Sequence, residues 1–481
     1  MDSGNISPFS KARPLAAEEK SCRIGKVLFY TNTARAFRST LIGHLYEIAN
    51  AFPVVLLSEE LDSHTENLLR RRNLFPKLKD IIPVRQFSDS MENAISRNRR
   101  LYRSALQSVE HHVPDVVISS SDMHSLFEMY LLRTAKKNGA LTVCIQPTFM
   151  DSSARTSKWV DMVNMHTRVP SFVPDFLRPS LIRIRKYAGH FLYHWLYPLS
   201  IPAAPLPGKS SYVLRRGNCA MRDGDFYVVF SRRDYEICVQ DGVLPERLCI
   251  LRHPLQRPMR EFFREHLACP AAGKINASGK MVTLLLPEDD IAFRASDFSV
   301  ISTAERWTLR KDIVGLVSEI LKDWKIFIKP HPNISGFDQI RKEVEAISGR
   351  IEFVPPADSV DPYLEASDLV VELPRSASTA TFSASLVSPP KPVFSLDFDH
   401  EYLGDCFKDF SGIDYIEDRA DFIRRLASVR DGDYFLKFPR QVRTEEREPS
   451  SYTDTVSMLI RLFQKHVNRA GLQNIRNKGN S

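Results

Sequence analysis

The chain has 481 residues, with 66 Lys and Arg against 58 Asp and Glu and a formal net charge of +8. Apolar residues make up 43% and charged residues 26%, which excludes a mainly disordered or collagen-like chain and allows two or three domains, at roughly 100–200 residues each. None of the 19 glycines forms a GxG triplet, so the glycine-rich nucleotide fingerprint is absent, and the seven cysteines, odd in number, widely spread and without a CxxC pair, suggest neither a zinc cluster nor a disulfide framework. Several cysteines sit inside apolar runs, as Cys144 and Cys249 do, which suits small buried hydrophobes in a reducing compartment.

Residues 1–23 are polar, lack an apolar core of the kind found in secretory signals, and read as a flexible tail. Strands are predicted at Lys26–Thr31, Phe52–Leu57, Pro114–Ser119, Leu141–Ile145, Asp225–Phe230 and Leu248–Leu251. Helices are predicted at Ser39–Asn50, Met123–Asn138 and Arg232–Gln240, with a charged, helix-rich stretch from Asp62 to His112. Residues 268–280 are rich in small and turn-forming residues and mark a linker. A second series follows, with strands at Met281–Leu286, Lys325–Ile328, Arg350–Phe353, Leu369–Val371 and Pro392–Leu396. Its helices are predicted at Arg306–Leu321, Phe337–Ile347, Asp361–Glu365, Ser378–Leu386 and Ser451–His466. The expected organisation is a first α/β domain over 24–267, a second over 281–447, a C-terminal helix over 448–467 and a tail over 468–481. Alternating strands and helices imply two Rossmann-like domains with parallel sheets and a cleft between them.

The charge is unevenly placed. Residues 176–222 contain no Asp or Glu but hold Arg178, Arg183, Arg185, Lys186, Lys209, Arg215, Arg216 and Arg222. That local excess favours one anionic partner surface and argues against diffuse nucleic-acid binding. The same stretch contains the aromatic and apolar run Phe191–Pro202, too short and proline-rich to span a bilayer. Its composition fits both a segment lying on an anionic membrane surface and an insertion packed on its own domain.

Three stretches of the second domain carry chemistry. Ile326-Phe-Ile-Lys329-Pro-His331-Pro-Asn333 places a cation and an imidazole at a strand's carboxyl end, where ligands bind in open α/β sheets. Lys329 and His331 suit a phosphate leaving group; a turn with a surface His is the plainer reading. Glu372-Leu-Pro-Arg375-Ser376-Ala-Ser378-Thr379 leads another strand into a helix; its hydroxyls and Arg375 suit phosphate groups, and one or two of the hydroxyls are also explained as helix caps. Glu288, Asp289 and Asp290 end the first strand after the linker and suit a general base, a sugar-hydroxyl ligand, a Mg²⁺ site or a solvated acidic turn. In the first domain, Thr33 and Arg35 follow the first strand, Asp122 and His124 the third, and Gln146 the fourth. Asp122 or His124 suits deprotonation of an acceptor hydroxyl.

Taken together, Lys329-Pro-His-Pro332, the Ser/Thr-rich turn and the paired α/β domains resemble the GT-B glycosyltransferases of bacterial surface polysaccharide assembly. That set includes capsule polysaccharide enzymes, teichoic-acid glycerophosphotransferases and sialyltransferases with an HP motif; UDP-N-acetylglucosamine 2-epimerases share the architecture. The resemblance implies that Lys329 and His331 contact the donor phosphate or nucleotide and that Ser376, Ser378 and Thr379 hold the diphosphate or a carboxylate-bearing sugar; the residues themselves add Glu372 and Arg375 to the donor side. The resemblance also sets Glu288, Asp289 or Asp290 against the acidic motif proposed as a base in some sialyltransferases; with the strand-end residues read above, the candidate catalytic set is Asp289, Asp290, His331 and Asp122, and the candidate acceptor side is Thr33, Arg35, His124 and Gln146. The implied reaction is inverting sugar transfer from a nucleotide-sugar co-substrate to a surface glycan or lipid-linked acceptor, with no other cofactor and no requirement for Mg²⁺. The implied location is the cytoplasm, at the inner membrane face. Many members of that group carry His-Gly where this chain has Gln146-Pro147; if that His is the usual base, this chain needs another one or is inactive. A sugar-nucleotide epimerase or hydrolase and a non-catalytic glycan-assembly protein are the competing readings.

Overall fold

The computed structural model describes residues 23–31, 41–59, 61, 63–84, 94–120, 126–146, 153–169, 172–174, 176–178, 180–181, 184, 224–251, 279–287, 291–331, 334, 336–356, 358, 360–374, 379–385, 391–408, 412–435 and 454–478. The tail 1–22, most of the basic segment 176–222 and the linker through 278 lie outside them.

Residues 27–250 build a seven-stranded sheet in the order β3-β2-β1-β4-β5-β6-β7, every pairing parallel. The strands are β1 Val27–Thr31, β2 Val54–Ser58, β3 Leu78–Pro83, β4 Val116–Ser119, β5 Leu141–Ile145, β6 Phe226–Val229 and β7 Leu248–Ile250. Helices α1 Ile42–Ala51, α2 Ser63–Leu69, α3 Ala94–His112, α4 Leu126–Lys137, α5 Ser153–Arg168 and α6 Arg232–Gln240 connect or flank them. Alternate residues of one strand serve opposite faces. Val27 and Phe29 join the core under α1, whereas Leu28 and Tyr30 join the core under α3 and α4.

A second parallel sheet spans residues 281–416 in the order β12-β11-β8-β13-β14-β15. Its strands are β8 Met281–Leu286, β11 Lys325–Pro330, β12 Ile351–Phe353, β13 Leu369–Glu372, β14 Val393–Leu396 and β15 Asp414–Ile416. A small antiparallel pair, β9 Ala292–Phe293 and β10 Val300–Ile301, follows β8. The helices are α7 Thr303–Ile320, α8 Phe337–Glu345, α9 Asp361–Ala366, α10 Thr379–Ser385 and α11 Arg419–Asp431.

Several boundaries differ from expectation for identifiable reasons. The charged stretch 62–112 contains the edge strand β3, whose burial pattern is largely exposed, so no apolar run announces it. Helix α7 starts at Thr303 because Ser302 and Glu305 form a reciprocal capping box. The C-terminal helix α12 runs Thr455–Lys478, through the stretch expected as a tail. It packs back on the first domain: Met458, Leu459 and Leu462 enter the α1 core, and Thr455 Oγ1 is hydrogen-bonded to His44 Nδ1 at 2.8 Å. No described helix is long and apolar enough to cross a membrane.

Candidate functional site at the carboxyl edges of two sheets

In both sheets the strand order reverses beside the first strand, between β1 and β4 and between β8 and β13. Such switch points open a crevice at the carboxyl edge, where α/β proteins bind ligands. In the second sheet, Pro330 is in register with Leu286, and Glu372 with Leu285. The His331 N–H then donates to Leu286 O at 2.8 Å, and the Leu373 N–H donates to Leu285 O at 3.0 Å. His331, Pro287 and Leu373 therefore leave three adjacent strands abreast, at spacings of about 4.8 Å. The three motifs singled out in the sequence begin side by side at this switch point. Asp289, Asp290, Arg375, Ser376 and Ser378 themselves lie outside the described residues, and Thr379 is described only as the first residue of α10.

The described members of the site are held firmly. Lys329 is buried, and its ammonium donates to Pro330 O and Pro356 O, both at 2.9 Å. It thereby ties β11 to the turn after β12, a use other than the phosphate contact expected of it. Burial pulls its pKa down to about 8, against a smaller opposing pull from Asp358. His331 is partly exposed at the edge, and its carbonyl accepts from the Ile334 N–H at 3.1 Å, closing a turn. Glu372, expected beside the donor, is turned fully into the core, where Ser395 Oγ donates to it at 2.9 Å.

Beneath the edge lies an ionic cluster that the sequence did not disclose. Arg306 and Arg310 sit one turn apart on α7 with 2% and 1% exposure. Arg306 Nε faces Glu401 Oε1 at 3.4 Å, and Arg310 Nη2 donates to Pro374 O at 3.3 Å, bracing the start of the Ser/Thr-rich turn. The Glu401 N–H donates to Asp397 Oδ1 at 2.8 Å, and Tyr415 OH donates to Asp397 Oδ2 at 2.6 Å. Burial raises the pKa of both acids; the Tyr415 bond opposes this for Asp397, and Arg306 opposes it for Glu401. Gly404 allows the close turn, since a Cβ there would stand 2.5 Å from Asp397 Oδ2. Two arginines spaced i, i+4 on a helix and an acid after a strand are ordinary surface patterns, so no sequence signal separated them from solvated charge.

In the first sheet, β1, β4 and β5 are likewise adjacent, and the expected acceptor residues follow their ends. Thr33, Arg35, Asp122 and His124 lie outside the described residues. Gln146 is buried at the end of β5, and its Nε2 donates to Asp234 Oδ2 at 3.2 Å. Sequence reasoning missed Glu128, a fully buried carboxylate on α4 that accepts from Ser119 Oγ and, at 3.3 Å, from Ser120 Oγ. An acid inside the apolar run Leu126-Phe-Glu-Met-Tyr-Leu-Leu132 was the available signal. The two carboxyl edges meet, because α5, which follows β5, contacts the β9–β10 hairpin and the segment after β14. A separate cavity of about 530 Å³, lined by Asp323, Trp324, Arg350 and Glu352, lies at the strand starts of the second sheet and takes no part in this edge.

No sequence-family model and no curated protein sequence matches the chain. Solved structures do. An UDP-N-acetylglucosamine 2-epimerase-like protein from Listeria monocytogenes is similar with a TM-score of 0.54 at 12% identity, over 93% of this chain and 97% of that one. S. aureus MnaA, solved with UDP, is similar with a TM-score of 0.51 at 11% identity, over 92% and 97%. The UDP-GlcNAc 2-epimerase of Neisseria meningitidis, solved with UDP-GlcNAc, gives 0.51 at 11% identity, over 92% and 100%. At such identities the likeness establishes architecture alone: this chain has the GT-B fold, two Rossmann-like α/β domains facing a cleft.

Proposed function

We propose that the chain is a sugar-nucleotide-dependent glycosyltransferase. The observation that supports the reading is that His331, Pro287 and Leu373 leave three adjacent strands at one switch point, with Asp289–Asp290 and Arg375–Ser378 next along the sequence. In this reading the nucleotide phosphate sits at that edge, with Arg375, Ser376, Ser378 and the α10 start as hydrogen-bond donors. His331 stabilises the departing phosphate oxygen. An acceptor hydroxyl, bound at the β1–β4–β5 edge, attacks the anomeric carbon as the bond to the phosphate breaks. Its proton passes to a cleft carboxylate, with Asp289, Asp290 and Asp122 as the candidates. The nucleotides present in two of the similar structures make UDP-sugars the first donors to test. The acceptor is a surface glycan or lipid-linked glycan, and the basic segment 176–222 holds the enzyme against an anionic inner membrane face.

Sugar-nucleotide epimerisation is the second reading. It is favoured by the 2-epimerase neighbours, which align over nearly the whole chain. Incubation with UDP-GlcNAc and NMR of the products separates the two. Transfer to an added glycan acceptor with release of UDP supports a glycosyltransferase; an altered configuration at the sugar C2 without any acceptor supports an epimerase.

A further inference from the structure

Helix α5 belongs to the first domain by chain order, but its Arg155, Lys158 and His166 side chains meet the second. Lys158 Nζ lies 3.6 Å from the Phe298 ring centroid and 5.6 Å from that of Tyr402. Arg155 forms an ion pair with Asp405 and lies 5.6 Å from the Tyr402 ring. His166, about three turns beyond Arg155, meets Phe293 at 5.3 Å. Phe298 and Tyr402 themselves pack edge to face at 5.3 Å, so one cation reaches a two-ring platform.

That platform is specially built. Among the described residues, four besides glycine have positive φ, and three of them belong to or flank it: Phe298 itself at 60°, and His400 at 47° and Leu403 at 81° beside Tyr402. Left-handed backbone at bulky residues is costly and persists where surrounding contacts enforce it, commonly at functional positions. The enforcing contacts are visible. The Ala295 N–H donates to His400 O and the Tyr402 N–H to Phe293 O, fastening the hairpin to the segment after β14. Glu401, within that segment, is the buried partner of Arg306. The platform is therefore rigidly joined to the carboxyl edge that carries the site.

We infer that Lys158, supported by Arg155, is a positioning residue that latches the carboxyl edge of the first sheet to that of the second. The latch fixes the separation of the two halves of the cleft. Its consequence for catalysis, setting the acceptor half against the donor half, rests on the function proposed above. The contact is suited to reversible use: Lys158 is solvent-exposed, and the Arg155–Asp405 pair is about one-third exposed on each side. It breaks when the domains part and reforms when they close.

The test compares Lys158→Ala, Lys158→Arg and Asp405→Asn with the parent chain, by small-angle X-ray scattering without ligand and by steady-state kinetics. Circular dichroism confirms that each variant is folded. The latch predicts a larger radius of gyration for Lys158→Ala and Asp405→Asn and a parental value for Lys158→Arg, because guanidinium also stacks on aromatic rings. It predicts a KM for sugar nucleotide raised about three- to ten-fold in Lys158→Ala, with kcat changed less than about two-fold. An unchanged scattering profile in both Lys158→Ala and Asp405→Asn overturns the latch. An expanded profile in a chain that turns over no sugar nucleotide upholds the latch and counts against the proposed reaction instead.

Discussion

Arg306 and Glu401 face each other at 3.4 Å with 2% and 3% of their side chains exposed, a buried ion pair one helical turn from Arg310, which holds Pro374 at the end of β13. Their sequence separation is large, and the pair joins α7 to the segment after β14. Removing one member leaves the other charged in a low-dielectric place, a larger loss than the pair's net contribution.

Arg306→Met is accordingly expected to destabilise the chain by about 3–5 kcal/mol at pH 7. Burial already raises the Glu401 pKa, and losing Arg306 raises it further. Lowering the pH lets Glu401 take up a proton in the folded state, which relieves the penalty. Urea unfolding of parent and variant at pH 7 and pH 5 should show a smaller difference at pH 5.

Lys329 gives a pH signature of opposite sense. Its folded pKa is about 8 against 10.5 for the free side chain, so between these values the unfolded chain binds more protons. Stability from this group rises as the pH climbs through that window and is level below it. Relative to Lys329→Met, which cannot titrate, the parent should gain up to about 3 kcal/mol between pH 8 and 10.5. Denaturant midpoints of both proteins across that range measure it.

Gly404→Ala should be far more damaging than a surface glycine substitution. The added carbon would fall within 2.6 Å of all three carboxyl atoms of Asp397, which also receives Tyr415 OH and the Glu401 N–H. The expected loss is about 2–4 kcal/mol through overpacking and a broken hydrogen-bond network, read as a lowered thermal midpoint. Gly139→Ala serves as a comparison, since its Cβ meets nothing within 4 Å and only its positive φ of 82° is strained.

Helix α12 is expected to be part of the first domain's core. Leu459 is fully buried against α1, far from its own chain neighbourhood. Leu459→Ala should cost about 2–5 kcal/mol. Hydrogen exchange should show loosened amides in α1 and β2, with β8 and β11 protected as before.

Much of this architecture was legible in the sequence. Buried parallel strands read as short apolar runs, so β5 and β8 were found with their observed ends, and helix α6 was found over Arg232–Gln240 as observed. The edge strand β3, the capping of α7 and the elements β15 and α11 were not. The strands β3 and β15 are polar or short and are decided by pairing with a neighbour, whereas α7 and α11 carried local cap signals, Ser302 with Glu305 and Asp418 with Gly432, that sequence reasoning missed. The three motifs of the second domain were readable because they directly follow strong strands. Their convergence was not readable, since it depends on β8 lying between β11 and β13. The supporting charges Arg306, Arg310, Asp397 and Glu401, and the acid Glu128, are made significant only by burial. Burial also gives Lys329 and Glu372 roles within the fold that their spacing did not suggest.

The central claim is that a sugar nucleotide binds at the β11–β8–β13 edge. Its most direct test is thermal-shift measurement with UDP-, CMP-, CDP- and GDP-sugars, each with and without Mg²⁺, on the parent chain and on His331→Ala and Arg375→Ala. Binding to the folded state raises the midpoint by mass action. The account predicts a shift with one nucleotide class, independent of Mg²⁺ and lost or reduced at least about ten-fold in apparent affinity in both variants. A folded chain that shifts with none of them, or equally in the parent and both variants, contradicts it.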